Sequence, residues 1–190
     1  MKIINNRRTA LMITAAVIVV ATLFGMHRSL SKEVRRIEKQ FYDGVFLKTE
    51  GYTENSIESH LNNRLKAALG LVTVAANYSE VSEETAALRS ARENLMNARG
   101  ITEKYAANER LQKEYDILAS KLAELPLKKK DVADAAVYSS TFFGAQASIR
   151  NSGYNSLVSG FINGTLRAFP VNVLKNIAFV KAPEYFELEG

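Results

Sequence analysis

The chain has 190 residues, of which 47% are hydrophobic and 24% are charged. These are ordinary values for a globular protein, so intrinsic disorder and fibrous repeats are excluded. Cysteine is absent, which excludes a disulfide framework, a thiolate metal site and a cysteine nucleophile. The formal net charge of +5 at pH 7 suggests a polyanionic partner, until the positions of the charges are considered.

The surplus of positive charge lies entirely at the N-terminal end. Nine of the 25 Lys and Arg residues, and four of the 20 Asp and Glu residues, fall within residues 1–50. Residues 51–190 therefore carry 16 of each sign and are electrically neutral. Nucleic-acid binding needs a basic stripe on the folded part of a protein, so the sequence predicts no nucleic-acid partner.

An uncharged, mostly apolar run of 18 residues, Thr9–Met26, lies between basic residues. As a helix it spans about 27 Å, slightly less than a hydrocarbon core of about 30 Å. Basic side chains can reach the interface at both ends; those that flank the run are Arg7, Arg8, Arg28, Lys32, Arg35 and Arg36. Because the run has no polar face, we expect residues 1–30 to anchor the protein in a lipid bilayer rather than form a buried core helix.

A cleaved signal peptide is the nearer alternative. Lys2, Arg7 and Arg8 would form its charged region, and Val19-Val20-Ala21 resembles a small-residue cleavage site. The apolar run continues past this site and exceeds the about 7–15 residues of a signal peptide, so the sequence favours an uncleaved, single-pass anchor in the cell (cytoplasmic or inner) membrane. Five basic residues follow the run within Arg28–Lys39 and three precede it, which favours a cytoplasmic position for the remainder.

Four further segments carry apolar residues at spacings of three and four, the pattern of an amphipathic or coiled-coil-like helix. Their stripes begin at Leu61, Leu88, Leu111 and Tyr138, and the first continues through Leu65, Leu69, Val72 and Ala76. The last stripe rotates beyond Gly153, so this helix is expected either to kink there or to be buried on more than one face. Helices with one apolar stripe bury it against each other. The sequence therefore predicts an all-α protein: an N-terminal transmembrane helix, a basic juxtamembrane stalk over residues 31–54, and an antiparallel bundle of three to four long helices over residues 55–190.

The C-terminal segment carries the most specific pattern. Tyr154-Asn155 is followed after seven residues by Phe161, with Asn163 two further on; Phe169-Pro170 begins six residues after that Asn, and Tyr185-Phe186-Glu187 begins fifteen after the Pro. These residue types and intervals resemble the C-terminal signature of the LemA family. Upstream, Ala107-Asn108 with Leu111-Gln112 resembles the family's preceding helix. Two further segments look closer to a diverged branch, Ile57-x-x-His60-Leu61-x-x-Arg64-x-x-Ala67-Ala68 and Leu88-Arg89-x-Ala91-Arg92-x-x-Leu95. The resemblance implies a bacterial-type, N-terminally anchored membrane protein with a helical bundle, in a family without an established reaction.

The signature residues also have a direct physical interpretation. Their aromatic rings supply apolar volume, their Asn side chains can bond to backbone, and Pro170 is expected to mark the end of the long helix. The aromatic tail is expected to fold back on the bundle through Phe179, Tyr185 and Phe186. A structural role for these residues is favoured over a partner groove built from them.

Candidates for catalysis are few. Ser56 and His60 lie one helical turn apart, but an incidental surface pair is favoured over a catalytic dyad. Neither histidine has a Glu three residues before it, as a di-metal bundle would require, and no phosphate-binding glycine motif is present in the sequence. We therefore expect no catalytic residues, no metal site and no cofactor.

The leading hypothesis for function is a membrane-anchored interaction or scaffold protein without its own catalysis, with the bilayer and an unidentified protein as partners. Homo-oligomerisation is compatible with such a bundle. The alternative is an accessory or regulatory subunit of a membrane enzyme such as a protease, which would act through the aromatic C-terminal surface.

Overall fold

A computed structural model of the protein describes residues 7–47 and 51–187. Lys2 of the predicted charged head lies outside the described residues, as do parts of the predicted stalk and tail. The helices are α1 (Arg7–Asp43), α2 (Ile57–Ala75), α3 (Ser82–Asn97), α4 (Ile101–Ala123), α5 (Lys129–Asn151), α6 (Tyr154–Gly160) and α7 (Val171–Leu174). A short 3₁₀ turn, Ser79–Val81, precedes α3, and a π-helical stretch, Phe161–Leu166, follows α6. The all-α fold class is confirmed.

The segment predicted to be a stalk consists of two structures. Helix α1 continues without interruption through Asp43, 37 residues in all. An antiparallel pair of three-residue strands then follows, β1 (Val45–Leu47) and β2 (Tyr52–Glu54), with Val45 opposite Glu54. Strands of three residues are too short to produce a recognisable alternation of apolar and polar residues, so the sequence did not predict this hairpin.

The chain divides into two compact units. One consists of the residues up to Glu38 together with Ser156–Pro183, and we call it the anchor unit. The other consists of Lys39–Asn155 together with the residues from Glu184 onward, and we call it the bundle unit.

The bundle unit is built around α2, which packs against α3, α4 and α5, while α3 also packs against α4. Residues of the predicted stripes are buried in its core, namely Leu61, Leu65, Val72, Leu88, Ala91, Leu95, Leu111, Tyr115, Leu118, Leu122, Phe142, Ala145 and Ile149. Ala76, the predicted end of the first stripe, is exposed instead, because α2 ends at Ala75. Leu69 was predicted to belong to the α2 stripe, but this is wrong, since its side chain is 46% exposed. Because an α-helix has about 3.6 residues per turn, two successive steps of four from Leu61 turn the Leu69 side chain away from the core face. Ala68, seven residues after Leu61, lies on that face and is buried.

Local signals set the ends of these helices. Ser56 caps α2, where its Oγ accepts a hydrogen bond from the backbone N–H of Ser59 at 3.0 Å. Gly100 separates α3 from α4 with a φ of 83°, which a side chain would disfavour. Of the two alternatives at Gly153, the structure shows the break: α5 ends at Asn151, Gly153 has a φ of 68°, and a new helix begins at Tyr154.

Helices α2 and α5 approach closely at Gly70. A Cβ atom at this position would lie 2.4 Å from Cε1 of Tyr138, so Gly70→Ala forces the tyrosine ring out of its place. We expect the free energy of unfolding to fall by about 1 kcal/mol or more. Gly144 on α5 is the matched control, because nothing lies within 4 Å of its Cβ position, and Gly144→Ala should stabilise the helix by about 0.5–1 kcal/mol. Urea unfolding of the detergent-solubilised protein measures both; equal effects would contradict the close approach.

Candidate functional site

Within the described residues, one helix is long and apolar enough to cross a membrane, and it is α1. None of its most apolar 18-residue window is buried. Large apolar side chains point outward along this window, among them Leu11, Met12, Val17, Val20 and Phe24. An uninterrupted exposed apolar surface of this length is typical of a lipid-facing helix.

The predicted membrane-flanking basic residues are exposed at both ends of the apolar window. They are Arg7, Arg8, Arg28, Lys32, Arg35 and Arg36. Arg36 forms an ion pair with Glu33, one turn earlier, at 2.7 Å. This arrangement leaves a positively charged surface on the helix directly after the apolar window, where phosphate groups would lie if the helix spans a bilayer.

Asn155 holds the C-terminal segment in the bundle unit. Its Oδ1 accepts a hydrogen bond from the backbone N–H of Phe186 at 2.9 Å, and its Nδ2 donates to the carbonyl oxygen of the same residue at 3.1 Å. The hydroxyl of Tyr154 donates to the carbonyl oxygen of Glu184 at 2.8 Å. We call these four residues, Tyr154, Asn155, Glu184 and Phe186, the C-terminal clasp.

Glu184 supplies the N-terminal cap of α4. Its Oε2 accepts hydrogen bonds from the backbone N–H groups of Ile101 at 2.9 Å and Thr102 at 3.1 Å. The residue before the helix, Gly100, has no side chain to serve as a cap, so a carboxylate more than 80 residues away in sequence takes this role. A negative charge at a helix N-terminus also complements the helix dipole. Sequence reasoning missed Glu184, because a cap donated from a distant segment leaves no local pattern.

Phe186 fills an aromatic cluster in the bundle unit. Its ring lies 5.3 Å from that of Phe41 and 5.3 Å from that of Tyr105, and Phe41 is also 5.6 Å from Tyr154. Aromatic pairs at these separations contribute stability beyond their buried area. The clasp therefore combines hydrogen bonds to backbone groups with a buried aromatic ring, that of Phe186.

The remaining signature residues lie elsewhere. Phe161 is buried, Tyr185 is half-buried, and Asn163 is exposed, with its Nδ2 donating to Oγ of Ser159 at 3.0 Å. Phe169 is 84% exposed, and Pro170 beside it is exposed as well.

The expectation that Phe179 folds back on the bundle is wrong, because its side chain is 82% exposed. Apolarity in a sequence shows that a side chain avoids water, but it does not show which surface covers it.

An unexpected charge lies in the core of the bundle unit. Arg64 on α2 has no exposed surface, and its guanidinium donates to Oδ1 of Asn108, Oε1 of Gln112 and Oε1 of Gln146. Its Cζ also lies 4.0 Å from the centre of the Phe142 ring. We call these five residues the Arg64 cluster; they join α2, α4 and α5.

The charge of Arg64 is stabilised by neutral groups rather than by a directly bonded carboxylate. The three groups that accept from the guanidinium are uncharged amides, and Nε of Arg64 is buried without a hydrogen-bond partner. Gln112 in turn donates to the carboxylate of Asp116 at 2.9 Å. Burial lowers the pKa of Arg64 to about 10, while Glu109 and Asp116 act in the opposite direction. The side chain therefore remains charged at neutral pH and depends on amide dipoles for its stability.

One of the two candidates for catalysis, Ser56, has a structural role. Oγ of Ser56 is used as the cap of α2, and burial lowers the pKa of His60, an effect that Glu54 partly offsets. Within residues 7–47 and 51–187, no group of three or more His, Cys, Asp or Glu side chains could hold a metal ion.

No protein-family model, no curated protein and no solved structure matches the chain. Function must therefore be inferred from the geometry of its surfaces.

The first prediction from this site concerns Asn155. Asn155→Leu removes both hydrogen bonds to Phe186, so we expect the free energy of unfolding to fall by about 2 kcal/mol and hydrogen exchange at the Phe186 amide to accelerate. Asn163→Leu is the matched control and should change the stability by less than about 0.5 kcal/mol, because that side chain is exposed. Urea unfolding and hydrogen-exchange mass spectrometry measure the two effects. Unchanged protection of Phe186 in Asn155→Leu would contradict the clasp.

The second prediction concerns Arg64. Arg64→Met leaves the oxygens of the buried Asn108 and of the half-buried Gln112 and Gln146 without this donor, so we expect a loss of about 3 kcal/mol in the free energy of unfolding. The exposed Arg110 is the control, and Arg110→Met should change stability by less than about 0.5 kcal/mol. Adding Gln112→Leu and Gln146→Leu to Arg64→Met should recover part of the loss, since fewer polar groups then lack a partner. If Arg64→Met were as stable as the parent, the cluster would not constrain the bundle.

Proposed function

We propose that the chain is a LemA-like, single-pass protein of the cell (cytoplasmic or inner) membrane, and that its helical bundle binds a protein partner beside the bilayer without catalysis of its own. The exposed apolar window of α1 supports the membrane part of the proposal. The five basic residues within Arg28–Lys39 favour a cytoplasmic position for the bundle. The spacing of the C-terminal signature supports the relation to the LemA family.

The observation that carries the partner-binding part is the outer face of α5. No charged residue occurs between Asp134 and Arg150, although much of this helix is exposed; its exposed residues there are Ala136, Val137, Ser140, Thr141, Phe143, Gly144 and Ala147. Oγ1 of Thr141 donates to the carbonyl oxygen of Val137 at 3.0 Å, which satisfies that hydroxyl within the helix. The face is thus uncharged and made mostly of small residues.

The neighbouring helix shows the contrast. Exposed positions of α4 carry Glu109, Arg110 and Lys113, the usual composition of a solvated helix surface. An uncharged face on a helix of 23 residues loses little hydration when another helix covers it, and small side chains permit close approach. We therefore assign the partner-binding surface to α5, and either a different protein or a second copy of the chain fits it.

Washing of isolated membranes tests the anchor. The full-length protein should remain in the membrane fraction through high-salt and alkaline carbonate washing. The double variant Val17→Arg with Val20→Arg places two charges on the exposed apolar window. Each charge raises the free energy of membrane insertion by about 3 kcal/mol, so this variant should be released from the membrane fraction. Leu69→Arg with Met96→Arg, at exposed apolar positions of the bundle, is the control and should stay bound. Release of the parent protein by either wash would contradict the anchor.

The partner is then sought by photo-crosslinking from α5. A photoreactive residue at Val137 should give a discrete adduct in intact membranes, while the same residue at Lys113 on α4 should not. Gly144→Arg should abolish the Val137 adduct and leave the far-ultraviolet dichroism unchanged. An adduct of twice the chain mass would identify a homo-oligomer. Absence of any adduct at Val137, or equal adducts from both sites, would contradict a binding role for this face.

A further inference from the structure

The segment of the anchor unit that follows the π-helical stretch forms a chain of helical turns. Backbone N–H groups of Asn172, Lys175 and Ala178 donate to carbonyl oxygens of Ala168, Val171 and Leu174 at 2.8–2.9 Å. We call residues 168–180 the strap. Because its backbone is internally hydrogen-bonded, the strap can enter an apolar environment without exposing many polar groups.

The strap displays large apolar side chains to the outside. Phe169 and Phe179 are more than four-fifths exposed, Val173 is 59% exposed, and Ile177 is similar. Buried positions in the same segment are few, and Ala178 is one of them. Four large exposed apolar residues within eleven positions form a patch of the kind that marks an interaction site.

A hydrogen bond places this patch at one end of the apolar window of α1. Nδ1 of His27 lies 2.8 Å from the carbonyl oxygen of Ala178, and since a carbonyl oxygen only accepts, the ring nitrogen is the donor. His27 is the first residue after the apolar run Thr9–Met26. The strap is therefore fixed where α1 would leave the hydrocarbon core, and Ile177 and Phe179 adjoin the bonded residue.

The strap and the residues that flank it in sequence carry only basic charged side chains. Ser156–Pro183 contains Arg167, Lys175 and Lys181 and no acidic residue. Exposed apolar side chains among basic ones are typical of segments that lie in the interface of an anionic bilayer. Because the headgroup layer extends about 5–7 Å beyond each side of the hydrocarbon core, a segment bonded to His27 lies within its reach.

We propose that the strap is a second membrane-contacting element, which inserts Phe169, Val173, Ile177 and Phe179 into the headgroup and upper acyl region of an anionic phospholipid bilayer. It lies in the leaflet where α1 leaves the membrane. This inference rests on the proposed function insofar as α1 must span the same bilayer. The protein is then held by a helix across the membrane and by a short helical segment along its surface.

Site-directed spin labelling tests the proposal on the full chain. The sequence contains no cysteine, so a single introduced Cys carries the only label. The protein is reconstituted in vesicles of phosphatidylcholine and phosphatidylglycerol, and collisions of the nitroxide with oxygen and with a water-soluble nickel chelate are measured. Val173→Cys and Ile177→Cys report on the strap, and Val17→Cys reports on the apolar window.

Val137→Cys on α5 is the matched control, because this valine is 62% exposed and Val173 is 59% exposed. We expect the Val173 and Ile177 labels to gain oxygen collisions and lose nickel collisions relative to Val137, at a depth shallower than the Val17 label. Vesicles of phosphatidylcholine alone should reduce this difference, since the basic residues then lose their lipid partners.

Three results would overturn the inference. If the Val17 label is in lipid while the strap labels behave like Val137, the strap does not touch the membrane, although the anchor stands. If the strap labels are shielded from both reagents, a protein surface covers them instead. If the Val17 label itself is accessible to the nickel chelate, the anchor and the strap proposal fail together. Far-ultraviolet dichroism of each labelled variant verifies that the helices are retained.

Discussion

The packing of the bundle depends on one buried cation. Arg64 is enclosed in the core, and its guanidinium donates to amide oxygens on α4 and α5 while its own backbone belongs to α2. An unpaired charge in a protein interior is strongly unfavourable, so any arrangement of these helices that separates Arg64 from its acceptors is penalised. Apolar stripes alone tolerate a shift by one helical turn, because many similar side chains can fill the same space. The Arg64 cluster does not tolerate it, and we infer that it selects the register of three helices.

The C-terminal clasp applies the same principle at the end of the bundle unit. Glu184 satisfies backbone N–H groups at the start of α4, and Asn155 satisfies the backbone of Phe186. The backbone N–H groups of Ile101, Thr102 and Phe186 thereby receive hydrogen-bond partners from distant segments. Phe186 then brings its ring against Phe41 and Tyr105. These contacts give Tyr154, Asn155 and Phe186 a role in the packing of the bundle unit.

The extent to which the structure follows from the sequence differs between apolar and polar residues. The helices of the bundle were predictable because a stripe at spacings of three and four has one physical solution, burial against neighbouring stripes. The cap at Ser56 was predictable because it acts within one turn. The burial of Arg64 was not, since a charged residue on a helix is usually exposed and its acceptors Gln112 and Gln146 are far away in sequence. Asn108 and Gln112 were noticed through the family resemblance, but only the fold gives them a role.

The same limit applies to the exposed apolar residues, and there it points to function. Hydrophobicity predicted that Phe169 and Phe179 avoid water, yet among the residues that the structure describes both are more than four-fifths exposed. Exposing such side chains costs roughly 1.5–3 kcal/mol each relative to burial, which a stable protein avoids unless something else covers the surface. In the anchor unit the positive charge and the bond between His27 and Ala178 favour lipid as that cover. On α5 the exposed face is uncharged and made mostly of small residues, so the electrostatic attraction that favours lipid is missing there, which is why we propose a protein partner for this face.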